Sequence, residues 1–197
     1  MIVQIYEIQT PEEAEKCIAS GVDHIGSVIS SEEEWRMPAL KELIRVSREA
    51  GVKNSLIPLF HDRDALFRVL EYYRPAYMHF CDSLTDHLGH PKEMDGVVDL
   101  QGQLKEKFPE IGLIRTIPIP GGGSASSEFP FREIASTLQP VSDFFLIDTW
   151  VEKAPVDGFV GITGLPADWK MAGELVLHSD IPVILAGGLS PENVYEA

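Results

Sequence analysis

Residues 184–194 read ILAGGLSPENV, and this stretch decides the fold. Its apolar beginning predicts a strand, and Gly187 and Gly188 predict a tight loop. Ser190 and Pro191 predict the start of a helix, as its N-cap and its first residue. A glycine loop between a parallel strand and a helix points backbone N–H groups at a ligand, and many barrels bind phosphate in this way. The stretch therefore predicts a parallel strand that ends in a phosphate-binding loop.

The same alternation of strand and helix runs through the chain upstream. Apolar, β-branched stretches predict seven strands, at residues 1–8, 24–30, 53–60, 76–81, 111–119, 143–149 and 182–186. Amphipathic stretches predict helices between them, and the last helix begins at Ser190. A glycine-rich stretch at 121–127 predicts a loop, which is either a lid or a solvated surface segment. The alternation predicts an α/β fold with right-handed crossovers, either an open doubly wound sheet or a (β/α)8 barrel.

Composition excludes several classes of protein. The chain has 197 residues, with 16 Lys and Arg against 31 Asp and Glu, so its formal net charge is −15. This charge repels a phosphate backbone and argues against nucleic-acid binding. The sequence shows neither a signal peptide nor a transmembrane segment, so we expect a cytoplasmic protein without a membrane partner. The spacing of the histidines and of Cys17 and Cys81 is not that of a metal site, and no GxGxxG motif follows the first strand. We therefore expect neither metal nor cofactor.

Further motifs, in order along the chain, resemble the phosphoribosylanthranilate isomerase family of tryptophan biosynthesis. Residues 10–14 (TPEEA) resemble its opening helix, and residues 21–26 (GVDHIG) resemble its G-A-D-x-I-G motif. Residues 146–149 (LIDT) resemble the sixth strand of the family. Residues 161–164 (GITG), with Asp168 and Trp169, resemble its G-G-T-G…D-W pattern. The resemblance covers nearly the whole chain and implies a (β/α)8 TIM-type barrel.

The resemblance also implies a domain organisation. Seven βα units are recognisable, so we expect residues 1–197 to form a single barrel domain whose eighth unit is missing from the chain as given. Either the sequence is truncated, or another segment or chain closes the barrel.

The family catalyses an Amadori rearrangement, in which a phosphorylated aminoaldose becomes an aminoketose. This chemistry needs a general acid at the ring oxygen and a general base at C2. The resemblance implies that the acid is Asp148, at the end of the sixth strand. The family's base is a cysteine in a K-I-C-G motif, but residues 4–7 here read QIYE. The base is therefore open, with Tyr6, Glu7 and Cys81 as candidates. Cys81 shares one strand face with His79, a candidate substrate-binding residue.

The remaining candidates would bind anionic groups. Arg36, after the second strand, would hold a substrate carboxylate or else pair with the glutamates at 32–34. Arg115 lies inside an apolar strand, so it needs an anionic partner, and we expect it at the barrel mouth against Asp148 or a ligand. The phosphate-binding candidates are Gly161, Thr163, Gly164, Gly187 and Gly188, with Ile162 in place of a family glycine.

The sequence thus predicts an isomerase of the phosphoribosylanthranilate type, acting on a small phosphorylated substrate and compatible with a homodimer. Two alternatives remain. The chain could be a different enzyme on the same phosphate-binding barrel, because the cysteine and its flanking lysine and glycine are lost. It could also be a non-catalytic binder of a phosphorylated ligand.

Overall fold

Strands and helices alternate along the chain, as the sequence predicts. The computed structural model describes residues 2–121 and 129–197. The strands are β1 (Gln4–Ile5), β2 (His24–Ile29), β3 (Lys53–Pro58), β4 (Tyr77–Phe80), β5 (Gly112–Pro120), β6 (Phe144–Trp150) and β7 (Val183–Leu185). The helices are α1 (Pro11–Ala19), α2 (Pro38–Glu49), α3 (Arg63–Tyr73), α4 (Asp95–Lys107), α5 (Phe131–Leu138) and α6 (Trp169–His178), with a 3-10 turn at Gln139–Val141. The loop predicted at 121–127 lies, except for Gly121, outside the described residues.

Two predicted elements differ from the structure. The first strand spans two residues instead of eight, because Glu7 takes a left-handed conformation (φ 61°) that interrupts the extended chain. The helix predicted from Ser190 is a series of turns instead. An α-helix requires consecutive i to i+4 hydrogen bonds. Here the two such bonds, Val194 N to Ser190 O (2.9 Å) and Ala197 N to Asn193 O (3.3 Å), are not consecutive.

The chain divides into two compact units. The first comprises Met1–Phe80 with Leu104–Gly112, and the second comprises Cys81–Gln103 with Leu113–Ala197. The prediction that residues 1–197 form one barrel domain stays a prediction. In the part of the chain that the structure describes, no helix is both long and apolar enough to cross a membrane.

In the first unit, β1 to β4 pair in parallel with their sequence neighbours. Helix α1 begins with the expected capping box. The Glu13 carboxylate accepts a hydrogen bond from the Thr10 N–H (3.0 Å), and the Thr10 hydroxyl accepts one from the Glu13 N–H (3.3 Å). Leu40, Leu43 and Ile44 of α2 are buried, as their helical spacing predicts.

In the second unit, β5, β6 and β7 also pair in parallel. Ile117 of β5 and Phe145 and Ile147 of β6 lie in one apolar core with residues of α5 and α6, such as Ile134 and Leu175. This face of the strands therefore packs against the helices. Side chains alternate along a strand, so the intervening residues face the other side of the sheet.

This register corrects the predicted position of Arg115. Arg115 pairs with Phe145, whereas Asp148 pairs with Pro118, so the two side chains belong to opposite faces. Arg115 is 1% exposed, and its partner is Asp82: Nη1 lies 2.8 Å from Oδ1, and Nη2 donates to the Asp82 carbonyl at 2.9 Å. Of the two partners considered, Asp148 is not the one that the structure shows, because the alternation of the strand places the two side chains on opposite faces. Contact of Arg115 with a ligand stays a prediction.

We predict that Asp82→Ala lowers the free energy of unfolding by about 3 kcal/mol, because removing one partner leaves a buried guanidinium without its carboxylate. Urea denaturation measures this change. The matched control is Glu174→Ala, which removes a carboxylate from a solvent-exposed pair with Arg132 and should cost less than about 1 kcal/mol. Equal costs for the two variants would contradict the structural role assigned to Asp82.

Candidate active site

Asp148 lies near the carboxyl end of β6, where barrel enzymes carry their catalytic groups. Its side chain is half-buried, and Oδ1 accepts a hydrogen bond from the Thr149 N–H at 2.7 Å. Burial raises the pKa of this carboxyl above the usual aspartate range, and the Thr149 hydrogen bond opposes this only in part. A carboxyl with a raised pKa is suited to donate a proton near neutral pH.

Gly161 packs directly against this carboxylate. A Cβ placed at residue 161 would overlap Asp148 Oδ2 and lie 2.7 Å from its Cγ. Gly161 also has φ +97°, a conformation that favours glycine. The absence of a side chain here lets the backbone cover one side of the Asp148 carboxyl group.

Gly187 and Gly188 also pack closely against neighbouring residues. A Cβ on Gly187 would overlap the Thr149 hydroxyl, and one on Gly188 would overlap the backbone at Leu165 and Pro166. Both glycines have positive φ, at 84° and 60°. The loop after β7 therefore packs against residues 165–166 of the loop after β6.

The other candidates for phosphate binding lie in the same segment. Thr163 Oγ1 accepts a hydrogen bond from the Leu165 N–H at 3.1 Å, and Gly164 has φ +66° with open space around it. The structure thus brings the segments 161–165 and 187–188 together in the second unit. Neither is shown binding an anion, so the phosphate site stays a prediction.

A cavity of about 320 Å³ opens between the loop after β4 and the loop after β6. Its walls include Ser83, Thr85, Thr149, Phe159 and Gly161. Because Gly161 also touches the Asp148 carboxylate, the cavity lies beside the candidate acid. Its outer lining includes the charged or titratable residues Asp86, His87, Lys92, Glu152 and Asp157.

Backbone hydrogen bonds join the two loops that form this cavity. Val160 N donates to Cys81 O at 2.8 Å, and Ser83 N donates to Gly158 O at 2.7 Å. Between them, Asp82 and Phe159 form an antiparallel bridge. This short ladder holds the inner walls of the cavity together.

Cys81 is poorly suited to be a base. Its side chain is buried, and this burial, with the nearby Asp82 carboxylate, raises the pKa of the thiol to about 12. Only the thiolate is an effective base or nucleophile. The thiol therefore stays protonated at neutral pH.

Tyr6 and His79 are neighbours in the first unit. Tyr6 Oη and His79 Nδ1 lie 3.3 Å apart, and His79 is 4% exposed. The Tyr6 ring also lies against Gly26, where an added Cβ would overlap it. The tyrosine that replaces the family's cysteine thus has a defined hydrogen-bond partner and a fitted surface.

Glu7 and Arg36 are exposed. Glu7 follows β1, which ends at Ile5, and its φ of 61° takes it out of the extended conformation of a strand. The Arg36 guanidinium lies 4.9 Å from the ring centroid of Trp35 and 5.5 Å from that of Tyr72. Arg36 thus stacks on aromatic rings, and its binding to a carboxylate stays a prediction.

No family model matches the chain. The relatives found by sequence comparison, however, share one enzyme name. N-(5'-phosphoribosyl)anthranilate isomerase 1 of Methanosarcina mazei is 24% identical over 199 residues, covering 99% of this chain and 80% of the relative. The enzyme of the same name from Methanocella arvoryzae is 29% identical over 197 residues, covering 99% and 81%. The one from Haloferax volcanii is 49% identical over 63 residues, covering 32% and 26%. Over nearly its whole length, the chain is similar to phosphoribosylanthranilate isomerases.

Solved structures agree on the fold. The isomerase of this name from Pyrococcus furiosus matches 100% of the chain and 81% of its own length, with a TM-score of 0.67 at 21% identity. The enzyme from Thermotoga maritima matches 100% and 82%, with a TM-score of 0.64 at 21% identity. The TIM-type barrel predicted from the sequence is confirmed as the fold class.

The chain departs from the family pattern at two glycine positions. Glu7 stands where the K-I-C-G motif has glycine, and Ile162 stands where the G-G-T-G motif has glycine. Both residues have a left-handed conformation, with φ 61° in each case. The backbone at these two positions therefore favours glycine, although neither residue is a glycine.

Sequence reasoning missed two residues of the site. Asp82, which pairs with Arg115, and Thr85, in the cavity wall, both follow β4 in a segment without a recognisable motif. Arg115 was the one available signal for Asp82, because a buried arginine requires an anionic partner. Among the described residues, no group of three or more His, Cys, Asp or Glu side chains could hold a metal ion.

We predict that Ile162→Gly raises the free energy of unfolding by about 1 kcal/mol. A β-branched residue is strained at positive φ, and glycine relieves that strain. The free energy gained in this way exceeds the cost of glycine's larger loss of chain entropy on folding. Because the Ile162 side chain is 53% exposed, little apolar burial is lost. Chemical denaturation measures the change. Ile162→Ala is the control: it keeps a Cβ and should give no such gain, so equal stabilisation by both variants would argue against strain.

Proposed function

We propose that this protein catalyses the isomerisation of N-(5'-phosphoribosyl)anthranilate, the reaction named in its relatives. The observation that carries the proposal is Asp148, a carboxyl with a raised pKa beside a ligand-sized cavity. An Amadori rearrangement needs such an acid to open the sugar ring. A solved relative at 19% identity, with a TM-score of 0.63, holds reduced 1-(o-carboxyphenylamino)-1-deoxyribulose 5-phosphate, which supports a small phosphorylated substrate here.

Asp148 performs the acid step in this proposal. The protonated carboxyl gives its proton to the ring oxygen of the aminoaldose, and the C1–O bond breaks as the amine nitrogen forms a double bond to C1. A base then removes the C2 proton, and the electrons move to give an enolamine, which becomes the aminoketose. The raised pKa of Asp148 favours the protonated form that the acid step requires.

The phosphate group of the substrate binds at the glycine loops. Gly187 and Gly188, with Gly161, Thr163 and Gly164, lie in two neighbouring turns with positive φ at every glycine. Backbone N–H groups in such turns suit a phosphate, and no lysine or arginine is needed. This arrangement supports the assignment of the phosphate site.

Tyr6 acts as the base in this proposal, with His79 as its proton acceptor. A phenol with an ordinary pKa near 10 is a weak base alone. As Tyr6 takes the C2 proton, it passes its own proton to His79 Nδ1, which lies 3.3 Å away. Cys81 is less suited because of its raised pKa, and Glu7 because of its exposure.

Three further assignments complete the proposal. Arg36 holds the carboxylate of the aromatic amine. The enzyme works in the cytoplasm, the expected place of a biosynthetic step. It allows a homodimer, because a structurally similar isomerase from Thermotoga maritima is dimeric.

Asp148→Asn tests the function directly. We expect kcat for N-(5'-phosphoribosyl)anthranilate to fall about 100-fold or more, because general acid catalysis contributes about 10²–10⁴-fold. Loss of substrate fluorescence follows turnover. Asp99→Asn, at an exposed position on α4, is the control and should keep normal activity. Binding of the reduced product analogue without turnover by the wild type would favour the non-catalytic binder.

The same variant has a thermal signature. Burial raises the Asp148 pKa, so the charged carboxylate lowers the free energy of unfolding. This destabilisation reaches its full size at pH values above the raised pKa. The penalty disappears below the unfolded-state pKa, near 3.9, where both states are protonated. Asp148→Asn should therefore raise the Tm at pH 7, and the difference should vanish as the pH falls towards 3. A constant difference would contradict the raised pKa.

A second pair of variants tests the base. Tyr6→Phe should lower kcat about 100-fold or more and leave KM nearly unchanged, because it removes the proton-transfer group but keeps the ring against Gly26. Cys81→Ala should keep kcat within about threefold, because the thiol is already protonated. Stopped assays with purified variants measure both. The opposite pattern would assign the base to Cys81.

A further inference from the structure

One buried hydroxyl group holds the backbone on both sides of Arg36. It belongs to Tyr73 of α3, which is 1% exposed. Tyr73 Oη accepts a hydrogen bond from the Met37 N–H at 2.8 Å and donates one to the Trp35 carbonyl at 2.6 Å. Trp35 and Met37 are the residues immediately before and after Arg36. A side chain from α3 therefore fixes the path of the backbone at Arg36.

Aromatic rings hold the side chain of Arg36 as well. Its guanidinium lies over the rings of Trp35 and Tyr72, within the distance of about 6 Å at which a ring face attracts a cation. The rings also support one another. Trp35 meets Tyr72 edge to face with centroids 5.4 Å apart, and Tyr72 meets Tyr73 in the same way at 4.8 Å. We call Trp35, Tyr72 and Tyr73 the aromatic clamp.

The guanidinium of Arg36 is held in place but is not paired. In the part of the chain that the structure describes, no carboxylate pairs with Arg36, so the pairing considered with the glutamates at 32–34 is not found. Arg36 is exposed, and a guanidinium over a ring face keeps its five N–H donors at its edges. Two of these donors can bind one carboxylate in parallel. The side chain is therefore suited to bind a carboxylate from outside the chain.

We propose that Tyr72 and Tyr73 are positioning residues, which hold Arg36 in the orientation that binds the carboxylate of the aromatic amine. This inference rests on the proposed function, in which Arg36 has that role. Because Tyr73 is buried, it acts through Arg36 and not by contact with the substrate. A mobile arginine loses conformational entropy when it binds a carboxylate, and the aromatic clamp reduces this loss. The clamp thus favours amines that carry a carboxylate.

Tyr73→Phe tests the clamp, because it keeps the ring and removes both hydrogen bonds. By calorimetry, we expect reduced 1-(o-carboxyphenylamino)-1-deoxyribulose 5-phosphate to bind this variant about three- to tenfold more weakly than the wild type. Reduced 1-phenylamino-1-deoxyribulose 5-phosphate, which lacks only the carboxyl group, should bind both proteins equally. Tyr195→Phe, at a fully exposed position, is the control and should leave both Kd values unchanged. Equal weakening of the two ligands by Tyr73→Phe, or weakening of neither, overturns the proposal.

A double-mutant cycle shows whether Tyr73 acts through Arg36. Arg36→Met removes the guanidinium and should weaken binding of the carboxylate ligand more than Tyr73→Phe does. In the Arg36→Met background, Tyr73→Phe should then change the Kd by less than about twofold, because no guanidinium remains to be positioned. If the two effects multiply instead, Tyr73 acts independently of Arg36 and the proposal is overturned.

A second pair of variants makes the test independent of the Tyr73 hydroxyl. Tyr72→Leu removes a ring that contacts the guanidinium and should weaken binding of the carboxylate ligand about two- to fivefold. Tyr72→Phe keeps the ring face and should bind this ligand like the wild type. Unchanged binding by Tyr72→Leu, or equal losses in the two variants, overturns the proposal.

The outcomes also separate this proposal from the function on which it rests. If the wild type binds neither ligand, the proposed function fails and this inference fails with it. If the wild type binds both ligands and Tyr73→Phe weakens neither, only the role of the clamp is overturned. None of these results depends on turnover.

Discussion

The close approach of Gly161 to the Asp148 carboxylate is the contact on which the candidate site depends. It removes water from one side of the carboxyl group, and this burial raises the Asp148 pKa. The same glycine forms part of the cavity wall, so one backbone position both tunes the acid and shapes the space beside it. Any side chain at residue 161 would displace the carboxylate, which explains why this glycine is kept where two others of the family pattern are not.

The glycine positions of the family pattern are therefore of two kinds. At Gly161, Gly187 and Gly188 a side chain would overlap neighbouring atoms, so space itself excludes any other residue. At Glu7 and Ile162 the side chains are exposed to solvent, and only the left-handed backbone favours glycine. A cost in conformation alone is small enough for a protein to carry, whereas an overlap with a packed backbone is not.

The order of strands and helices and the candidate acid could be predicted from the sequence. The side-chain partners within the site could not, because they depend on which residues lie side by side across strands. Strand and helix positions follow from periodicity, and Asp148 was predicted as the acid from the family resemblance and from its place at the end of the sixth strand. The partner of Arg115 could not be found, because it depends on the register that pairs Arg115 with Phe145 and places Asp148 on the other face.

The short ladder between residues 81–83 and 158–160 has a consequence for ligand affinity. Two backbone hydrogen bonds join the loops, and the buried Arg115 anchors Asp82, which lies between them in the chain. Loops that are tied to each other before a ligand arrives lose little freedom when it binds. Ordering mobile segments normally consumes a large part of the free energy of association. Because these loops are already joined, the cavity is preorganised and this cost is small. A ligand that binds here therefore meets a wall already in place, with little contribution from loop closure.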